Sequence, residues 1–161
     1  REDDFDAFAA MNADPRVMEY FPAPLTREES AAFFGHIREE FQTEGFGLYA
    51  VERISDGLLL GYTGLHRVTF DGLCGQIEIG WRLRADAWGN GYAPEAAQAC
   101  LAHATKLGIE EIIAFTAVAN LRSQRVMQKI GMECVGQFNH PALPEGHPLL
   151  RHVLYWTGIK G

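Results

Sequence analysis

The sequence predicts an α+β domain built on a mixed, mainly antiparallel sheet. Its apolar patterns indicate, in order, two helices, three strands, a helix, a strand, a helix and two strands. Asp71-Gly72 is a hairpin signal between the second and third strands. A helix separates the third strand from the fourth, so it crosses between the middle strands of the sheet.

The N-terminal part supplies the first two helices and three strands. Residues 3–12 predict a short helix, and Thr26 with Glu29 forms a capping-box start for the second. The second helix ends at Gly45, and its apolar residues recur at the spacing of a core-facing stripe. That stripe consists of Phe33, Phe34, Ile37 and Phe41. The strands that follow are predicted at residues 48–54, 58–70 and 76–83.

The C-terminal part alternates helices and strands. Residues 93–107 predict a helix that ends at Gly108, because Gly is the preferred residue just beyond a helix. Its buried face is predicted to carry Ala93, Ala97, Cys100, Leu101 and Ala104. A nearly continuous apolar run predicts a buried strand at 109–119. Asn120 begins a short helix through 130. A final strand pair at 132–138 and 152–157 brackets a loop rich in Pro and Gly.

Length and composition indicate one domain over residues 1–161. The 161 residues are 47% hydrophobic and 22% charged, which is ordinary for a globular domain. The chain opens on Arg1, so we expect an N-terminal strand of this domain to lie outside it. Three widely spaced cysteines fit reduced thiols. With no export leader in view, we expect a cytoplasmic protein.

The charge balance narrows the classes of partner. A net charge of −7 argues against nucleic acid and is compatible with a cationic acceptor such as an amine. No apolar run reaches the length of a membrane span, so no membrane partner is expected. His140, His147 and His152 lie near one another, but their spacing matches no zinc pattern. No metal is therefore expected.

The segment from Trp88 to Ala93 lies between a predicted strand and a predicted helix. Gly89 and Gly91 free the backbone for tight curvature, and Pro94 suits the first helical turn. Free N–H groups at a helix N-terminus favour an anion such as a phosphate or pyrophosphate. The alternative interpretation is a plain strand-to-helix turn.

Two motifs in the correct order resemble the GNAT superfamily of acyl-CoA-dependent N-acetyltransferases. The first is the run 78–83, Glu-Ile-Gly-Trp-Arg-Leu, followed by the run 88–96, Trp-Gly-Asn-Gly-Tyr-Ala-Pro-Glu-Ala. The second is Asn120-Leu121-Arg122-Ser123, followed by Gly131-Met132. Within the superfamily, these motifs are similar to the ribosomal-protein N-terminal acetyltransferase (RimJ/RimL) branch. The resemblance implies splayed central strands with helices on both faces of the sheet. Relatives often form dimers, so a homodimer is one expected assembly.

The resemblance implies acetyl-CoA as co-substrate. Backbone groups of Trp81 and Leu83 would pair with the pantetheine amides, and the N–H groups after Trp88 would hold the pyrophosphate. Asn120 would hydrogen-bond the pantetheine arm, with Ser123 near the thioester sulfur. Because Asn is a favoured N-cap and Ser suits a first helical turn, a purely structural role stays open for both. The implied cofactor-binding set is Trp81, Arg82, Leu83, Trp88, Gly89, Asn90, Gly91, Tyr92, Ala93, Asn120 and Ser123.

Acetyl transfer to an amine needs a base, and Glu78 is the candidate, acting through water. Its structural alternative is a strand carboxylate paired with a neighbouring cation. Many superfamily members donate a proton to the departing thiolate from a Tyr, but this chain has Met127 at that position. Ser123, water or no group at all then protonates the thiolate. The same departure motivates an alternative function, a catalytically silent acyl-CoA sensor or regulatory domain.

The acceptor is expected to be a protein N-terminus or a small amine. If the hairpin is symmetric about position 72, His66 falls opposite Glu78, where it would tune the base or bind the acceptor. A structural histidine is the alternative. Tyr20 and Phe21 precede the second helix in a segment that would shape the acceptor pocket. Tyr155 or its neighbour Trp156 would face the cleft from the last strand.

Overall fold

The computed structural model describes residues 1–159. It contains four α-helices and six β-strands in the predicted order. The helices are α1 (Phe5–Ala13), α2 (Arg27–Glu44), α3 (Tyr92–Lys106) and α4 (Leu121–Lys129). The strands are β1 (Leu48–Arg53), β2 (Leu58–Arg67), β3 (Ile77–Leu83), β4 (Glu111–Ala117), β5 (Glu133–Asn139) and β6 (Arg151–Gly158). None of these described helices combines a bilayer-spanning length with an apolar composition.

All six strands form one sheet in the order β1-β2-β3-β4-β6-β5. Neighbouring strands are antiparallel except β3 and β4, which run parallel because α3 carries the chain between them. The predicted fold class, a mainly antiparallel sheet with a helix crossing between its middle strands, is confirmed. The predicted register is confirmed as well, since His66 lies directly opposite Glu78.

The helices cover both faces of the sheet. On one face, α3 and α4 bury Ala97, Cys100 and Met127 against β2, β3 and β4. On the other face, α1 and α2 pack around Tyr62 of β2. The predicted capping box at the start of α2 is present: the Glu29 amide donates to Thr26 Oγ1 over 3.1 Å, and the Thr26 amide donates to Glu29 Oε2 over 2.7 Å.

β2 and β4 are shorter than predicted by three residues or more, because neighbouring turns take up residues at their ends. β2 ends at Arg67, since the Gly75 amide donates to the Val68 carbonyl and closes a wide turn. β4 begins at Glu111, because the Ile109 amide donates to the Ala104 carbonyl and completes the end of α3. Both differences are confined to the ends of β2 and β4, and the central residues of these strands remain in the sheet.

The central strands β3 and β4 separate along their length. Glu78 pairs with Ile113, and no other register pair joins the two strands among residues 1–159. Beyond that point, β3 stays paired with β2 as far as Leu83, and β4 stays paired with β6 as far as Ala117. A wedge-shaped gap therefore opens toward the carboxyl ends of both strands.

Candidate active site

A cavity of about 1030 Å³ opens at the gap between β3 and β4. Its walls come from the two strands, the loop before α3, the first turns of α4, the inner side of α2 and residues 17–22. The cavity gathers most of the residues that the sequence predicted for the site. Those at its wall are Tyr20, Phe21, His66, Glu78, Trp81, Arg82, Leu83, Trp88, Gly89, Gly91, Tyr92, Ala93, Asn120 and Ser123.

Backbone groups of β3 face the gap. The Arg84 amide donates to the Leu60 carbonyl over 2.8 Å, so the even-numbered residues of β3 turn their polar groups toward β2. Trp81 and Leu83 consequently turn theirs toward β4. The carbonyl of Leu83 accepts a hydrogen bond from the Trp88 indole nitrogen over 3.0 Å. The gap therefore presents both backbone groups of Trp81 and the amide of Leu83.

The loop before α3 presents a second set of backbone donors. Gly89 and Gly91 adopt φ +80° and +79°, values that L side chains rarely reach. The Asn90 side chain turns back into the loop, where Nδ2 donates to two backbone carbonyls over 3.1 Å, so it does not line the cavity. The first helical hydrogen bond runs from Glu95 to Gly91. The amides of residues 92 and 93 precede that bond and are therefore free for an anion.

Trp88 ties this loop to two neighbouring elements. Its indole bonds the end of β3, and the Arg122 guanidinium stacks over its ring at 3.9 Å. Arg122 also donates to Glu19 over 3.0 Å, which joins the start of α4 to the segment that carries Tyr20. The glycine loop, α4 and that segment are thus braced against one another around the cavity mouth.

Asn120 and Ser123 form the N-terminal cap of α4. Asn120 Oδ1 accepts from the Ser123 amide over 3.2 Å, and Nδ2 donates to Thr116 Oγ1 over 2.9 Å and to Ser123 Oγ over 3.1 Å. The capping interpretation is confirmed, while contact of either side chain with a bound ligand stays a prediction. Met127 is buried one turn further along α4, where its thioether offers no proton.

Glu78 lies at the closed end of the gap, and its carboxylate lines the cavity. No hydrogen bond or ion pair to this carboxylate is present among residues 1–159. Burial raises the pKa of Glu78 to about 8, with the nearby His66 opposing the shift and Glu40 adding to it. The structural alternative for Glu78, a pairing with a neighbouring cation, is therefore not present in the described part of the chain, and the group can exchange a proton close to neutral pH.

His66 faces Glu78 across the strand pair but bonds to α2. Its Nδ1 lies 2.6 Å from Glu40 Oε1, and this contact is the largest cause of the raised pKa of His66. Glu40 also accepts from the Arg67 amide over 3.2 Å. His66 is thus held by a carboxylate that the sequence did not identify, because α2 and β2 are distant in the chain.

Tyr155 is not brought to the cavity. Its ring is 3% exposed and belongs to the core on the α3–α4 face, since it pairs across the sheet with Ala114, which faces the same way. Its hydroxyl accepts from Gln128 Nε2 over 3.2 Å and donates to Gln124 Oε1 over 3.4 Å. Trp156 does not line the cavity either. The residue of β6 that reaches it is His152.

An aromatic wall that the sequence analysis missed lies beside the gap. His140 and His152 approach within 4.9 Å, centroid to centroid, and burial lowers the pKa of both. Phe115, Phe70 and Phe138 complete the wall. In the sequence, the two histidines lie at the two ends of the β5–β6 loop, and this placement is the one feature that could have predicted their contact. Residues 1–159 contain no group of three or more His, Cys, Asp or Glu side chains arranged to hold a metal ion.

Comparison with known proteins gives a consistent result. Residues 1–133 match the family model described as acetyltransferase (GNAT) domain. The uncharacterised N-acetyltransferase YnaD of Bacillus subtilis (strain 168) is 32% identical over 145 residues, which cover 89% of this chain and 81% of YnaD. The crystal structure of an acetyltransferase (GNAT family) from Bacillus anthracis superposes with a TM-score of 0.81 at 29% identity, covering 100% of this chain and 92% of that one.

A more distant solved structure shares the fold. It is a GNAT superfamily phosphinothricin acetyltransferase from Sinorhizobium meliloti in complex with AcCoA. Its TM-score is 0.76 at 18% identity, covering 99% of this chain and 85% of that one. These comparisons identify the superfamily and do not distinguish the RimJ/RimL branch within it.

Proposed function

The chain belongs to the GNAT family of acetyltransferases, and from this premise we propose that it transfers the acetyl group of acetyl-CoA to a primary amine. The observation that carries the proposal is the gap between β3 and β4. Their pairing stops at Glu78 and Ile113, which leaves backbone groups of Trp81 and Leu83 facing an open cleft. The acceptor is a protein N-terminus or a small amine.

The chemistry of the cleft fits acetyl-CoA. The free strand edge of β3 offers hydrogen-bond partners for the amides of a pantetheine arm. The amides of residues 92 and 93 at the start of α3 suit a pyrophosphate. Arg125 and Lys129 of α4 line the same cavity and add positive charge. The cavity volume of about 1030 Å³ is at the upper end of the range typical of ligand sites.

When bound, acetyl-CoA supplies an acetyl group activated as a thioester. Glu78 accepts a proton from the ammonium group of the acceptor, directly or through water, and thereby exposes the nitrogen lone pair. The Trp81 amide, which faces the gap, is the donor for a developing oxyanion. Much of the rate enhancement comes from holding both reactants aligned between the splayed strands.

The protons balance over one turnover. A C–N bond forms, a C–S bond breaks, and the ammonium group loses two protons. One proton passes through Glu78 to solvent, and the other leaves with the CoA thiol. Ser123 presents a hydroxyl at the cavity wall, whereas Met127 cannot donate a proton. Because a thiol has a pKa near 8.5, it leaves without a strong acid.

The proposal is tested first by thermal unfolding with and without acetyl-CoA, with ATP and NAD as controls. At 100 times its dissociation constant a ligand adds about 2.7 kcal/mol to the free energy of unfolding. For a domain of this size, that is a rise in Tm of roughly 5–10 °C. Acetyl-CoA alone is expected to produce it. No rise with acetyl-CoA would reject the proposal.

Turnover is tested by amine-dependent release of the CoA thiol, with peptides and small amines as acceptors. A preference for peptides with a free N-terminus would support the proposed RimJ/RimL likeness. Glu78→Gln is expected to abolish most of the release. Glu111→Gln, an exposed strand carboxylate outside the cavity, is the matched control and is expected to leave the rate unchanged.

The alternative proposal, a catalytically silent acyl-CoA sensor, is favoured by one observation, Met127 at the proton-donor position. Under this alternative, acetyl-CoA raises the Tm as before, but no acceptor in the panel releases the thiol. Thiol release that depends on both the amine and Glu78 would reject it.

A further inference from the structure

Arg82 carries a buried positive charge that no carboxylate of the described chain neutralises. The residue is 8% exposed and lines the cavity. Its Nη1 donates to Asn12 Oδ1 over 2.7 Å, whereas Nε is buried and has no hydrogen-bond partner. None of the ion pairs among residues 1–159 includes Arg82.

The surroundings hold the guanidinium in place without neutralising it. The rings of Phe21, Tyr62 and Phe33 lie 4.3, 5.4 and 5.7 Å from its central carbon. Asn12 is fully buried and neutral, and its Nδ2 donates to Ser30 Oγ over 3.3 Å. Cation–π contacts offset part of the cost of burying a charge. An unpaired buried charge nevertheless remains costly until an anion meets it.

Arg82 lies on the same strand as Glu78, the proposed base. Arg82 and Glu78 lie four residues apart on the same face of β3, about 13 Å between their Cα atoms. Both residues line the one cavity, and the Arg82 guanidinium is held at Asn12. Phe21, which is 42% exposed, covers the guanidinium from the cavity mouth. An acceptor with its nitrogen at Glu78 can therefore extend toward Arg82.

We propose that Arg82 binds a carboxylate of the acceptor, so that the amine acetylated by this protein belongs to an amino acid or a short peptide with a free carboxyl group. The inference rests on the function proposed above and names its substrate class. A guanidinium fork binds a carboxylate through two parallel hydrogen bonds, which supplies orientation as well as affinity. The same contact discriminates against an acceptor that lacks the charge.

The test uses acceptor pairs that differ only in the carboxylate. One pair is glycyl-leucine and glycyl-leucinamide. The others are ω-amino acids of three to six carbons, each with the amino alcohol of equal length. We expect kcat/KM to favour the carboxylate of the best pair by about tenfold or more, as for a hydrogen bond to a charged group.

Two variants remove the proposed interaction in different ways. Arg82→Gln removes the charge, and Asn12→Asp pairs the guanidinium internally while keeping the shape of its partner. In both, the preference for the carboxylate is expected to fall to threefold or less, with neutral amines still acetylated. Arg84→Gln is the matched control, because Arg84 pairs with Asp86 over 2.8 Å outside the cavity. Its preference is expected to equal that of the wild type.

The outcomes separate this inference from the proposed function. If acetyl-CoA raises the Tm and the wild type shows no carboxylate preference, or Arg82→Gln keeps it, the subsite is rejected and the function stands. If acetyl-CoA raises the Tm of Arg82→Gln less than it raises that of the wild type, Arg82 binds CoA rather than the acceptor. That result would also reject the subsite. If the protein acetylates none of the acceptors, binding of each acceptor is measured instead, as the rise in Tm that it causes in the presence of CoA. Carboxylates that stabilise wild type and Arg82→Gln equally then overturn the inference.

Discussion

Glu78 of β3 lies opposite Ile113 of β4 at the point from which the two central strands diverge. The same pairing that closes the gap at one end fixes the position of the proposed base. The free backbone groups of Trp81 begin three residues further along. A single strand, β3, thus positions the carboxylate of Glu78, the free backbone groups of Trp81 and one side of the open cleft.

The pH dependence of turnover follows from the raised pKa of Glu78. A base accepts a proton only when ionised, so kcat/KM should rise with pH and level off above the pKa of about 8. The measurement is a pH–rate profile with an amine of pKa near 10.4, whose own titration falls outside this range.

Glu78→Gln changes the shape of that profile. Without the base, the reaction needs the neutral amine, so the rate should continue to rise toward pH 10. Near pH 8 it should be lower than wild type by about 10²–10⁴-fold. If the rate of Glu78→Gln also levels off near pH 8, the titration of another group causes the rise of the wild-type rate with pH.

Stability should depend on pH through the same carboxyl group. Between pH 4.5 and 8, the folded protein keeps a proton on Glu78 that the unfolded chain loses. The unfolded state then binds fewer protons, so this group's contribution to the free energy of unfolding falls as pH rises through that window. Glu78→Gln has no such titration. Its Tm relative to wild type should therefore rise by several degrees between pH 4.5 and pH 8.

Thermal unfolding at pH 4.5, 6 and 8 measures this difference. Glu111→Gln is the control, since that side chain is exposed on β4. Its Tm difference from wild type should stay constant over the series. A constant difference for Glu78→Gln as well would mean that Glu78 ionises normally in the folded protein.

The glycine loop is tested by a matched pair of substitutions. Gly91 and Gly108 lie just before and just after α3, at φ +79° and +72°, and a Cβ at either would meet no atom within 4 Å. Ala at either should cost about 1–2 kcal/mol of stability from backbone strain alone. Gly91→Ala should in addition weaken acetyl-CoA binding. Equal acetyl-CoA affinities in the two variants would remove the loop from the binding site.

The role of Asn120 as the N-cap of α4 can be tested separately from its predicted contact with the ligand. Ser is as good an N-cap as Asn, whereas Ala costs about 1 kcal/mol. Asn120→Ser should therefore keep the cap while losing the bonds from Nδ2 to Thr116 and Ser123, so its own Tm without ligand is the reference for the effect of acetyl-CoA. If the amide contacts the pantetheine arm, the variant should show a smaller rise in Tm with acetyl-CoA. An unchanged rise would limit Asn120 to the cap.

Local signals explain which parts of this fold were predictable from the sequence. The capping box at Thr26 and the hairpin at Asp71-Gly72 act within a few residues, and they correctly predicted a helix start and the register of His66 against Glu78. Contacts between distant segments left no such signal. The contact between His66 of β2 and Glu40 of α2 joins residues 26 positions apart in the chain.

Side-chain direction was the other limit. Tyr155 was expected at the cleft, yet the register of β6 turns it toward the α3–α4 core. Arg82 was predicted as part of the cofactor-binding set, and the sequence did not indicate that its side chain is buried against Asn12. Facing direction on a strand depends on register across the whole sheet, and a one-residue difference reverses it.

Hydrogen exchange at backbone amides shows whether acetyl-CoA binds in the gap between β3 and β4. With saturating acetyl-CoA, exchange should slow at the amides of Trp81 and Leu83 and across residues 89–93, while the turn between β1 and β2 (residues 54–57), which lies outside the cavity, keeps its rate. Protection at both places would locate the co-substrate in the gap and at the start of α3. If acetyl-CoA binds and protects neither place, the co-substrate does not lie in the gap between β3 and β4.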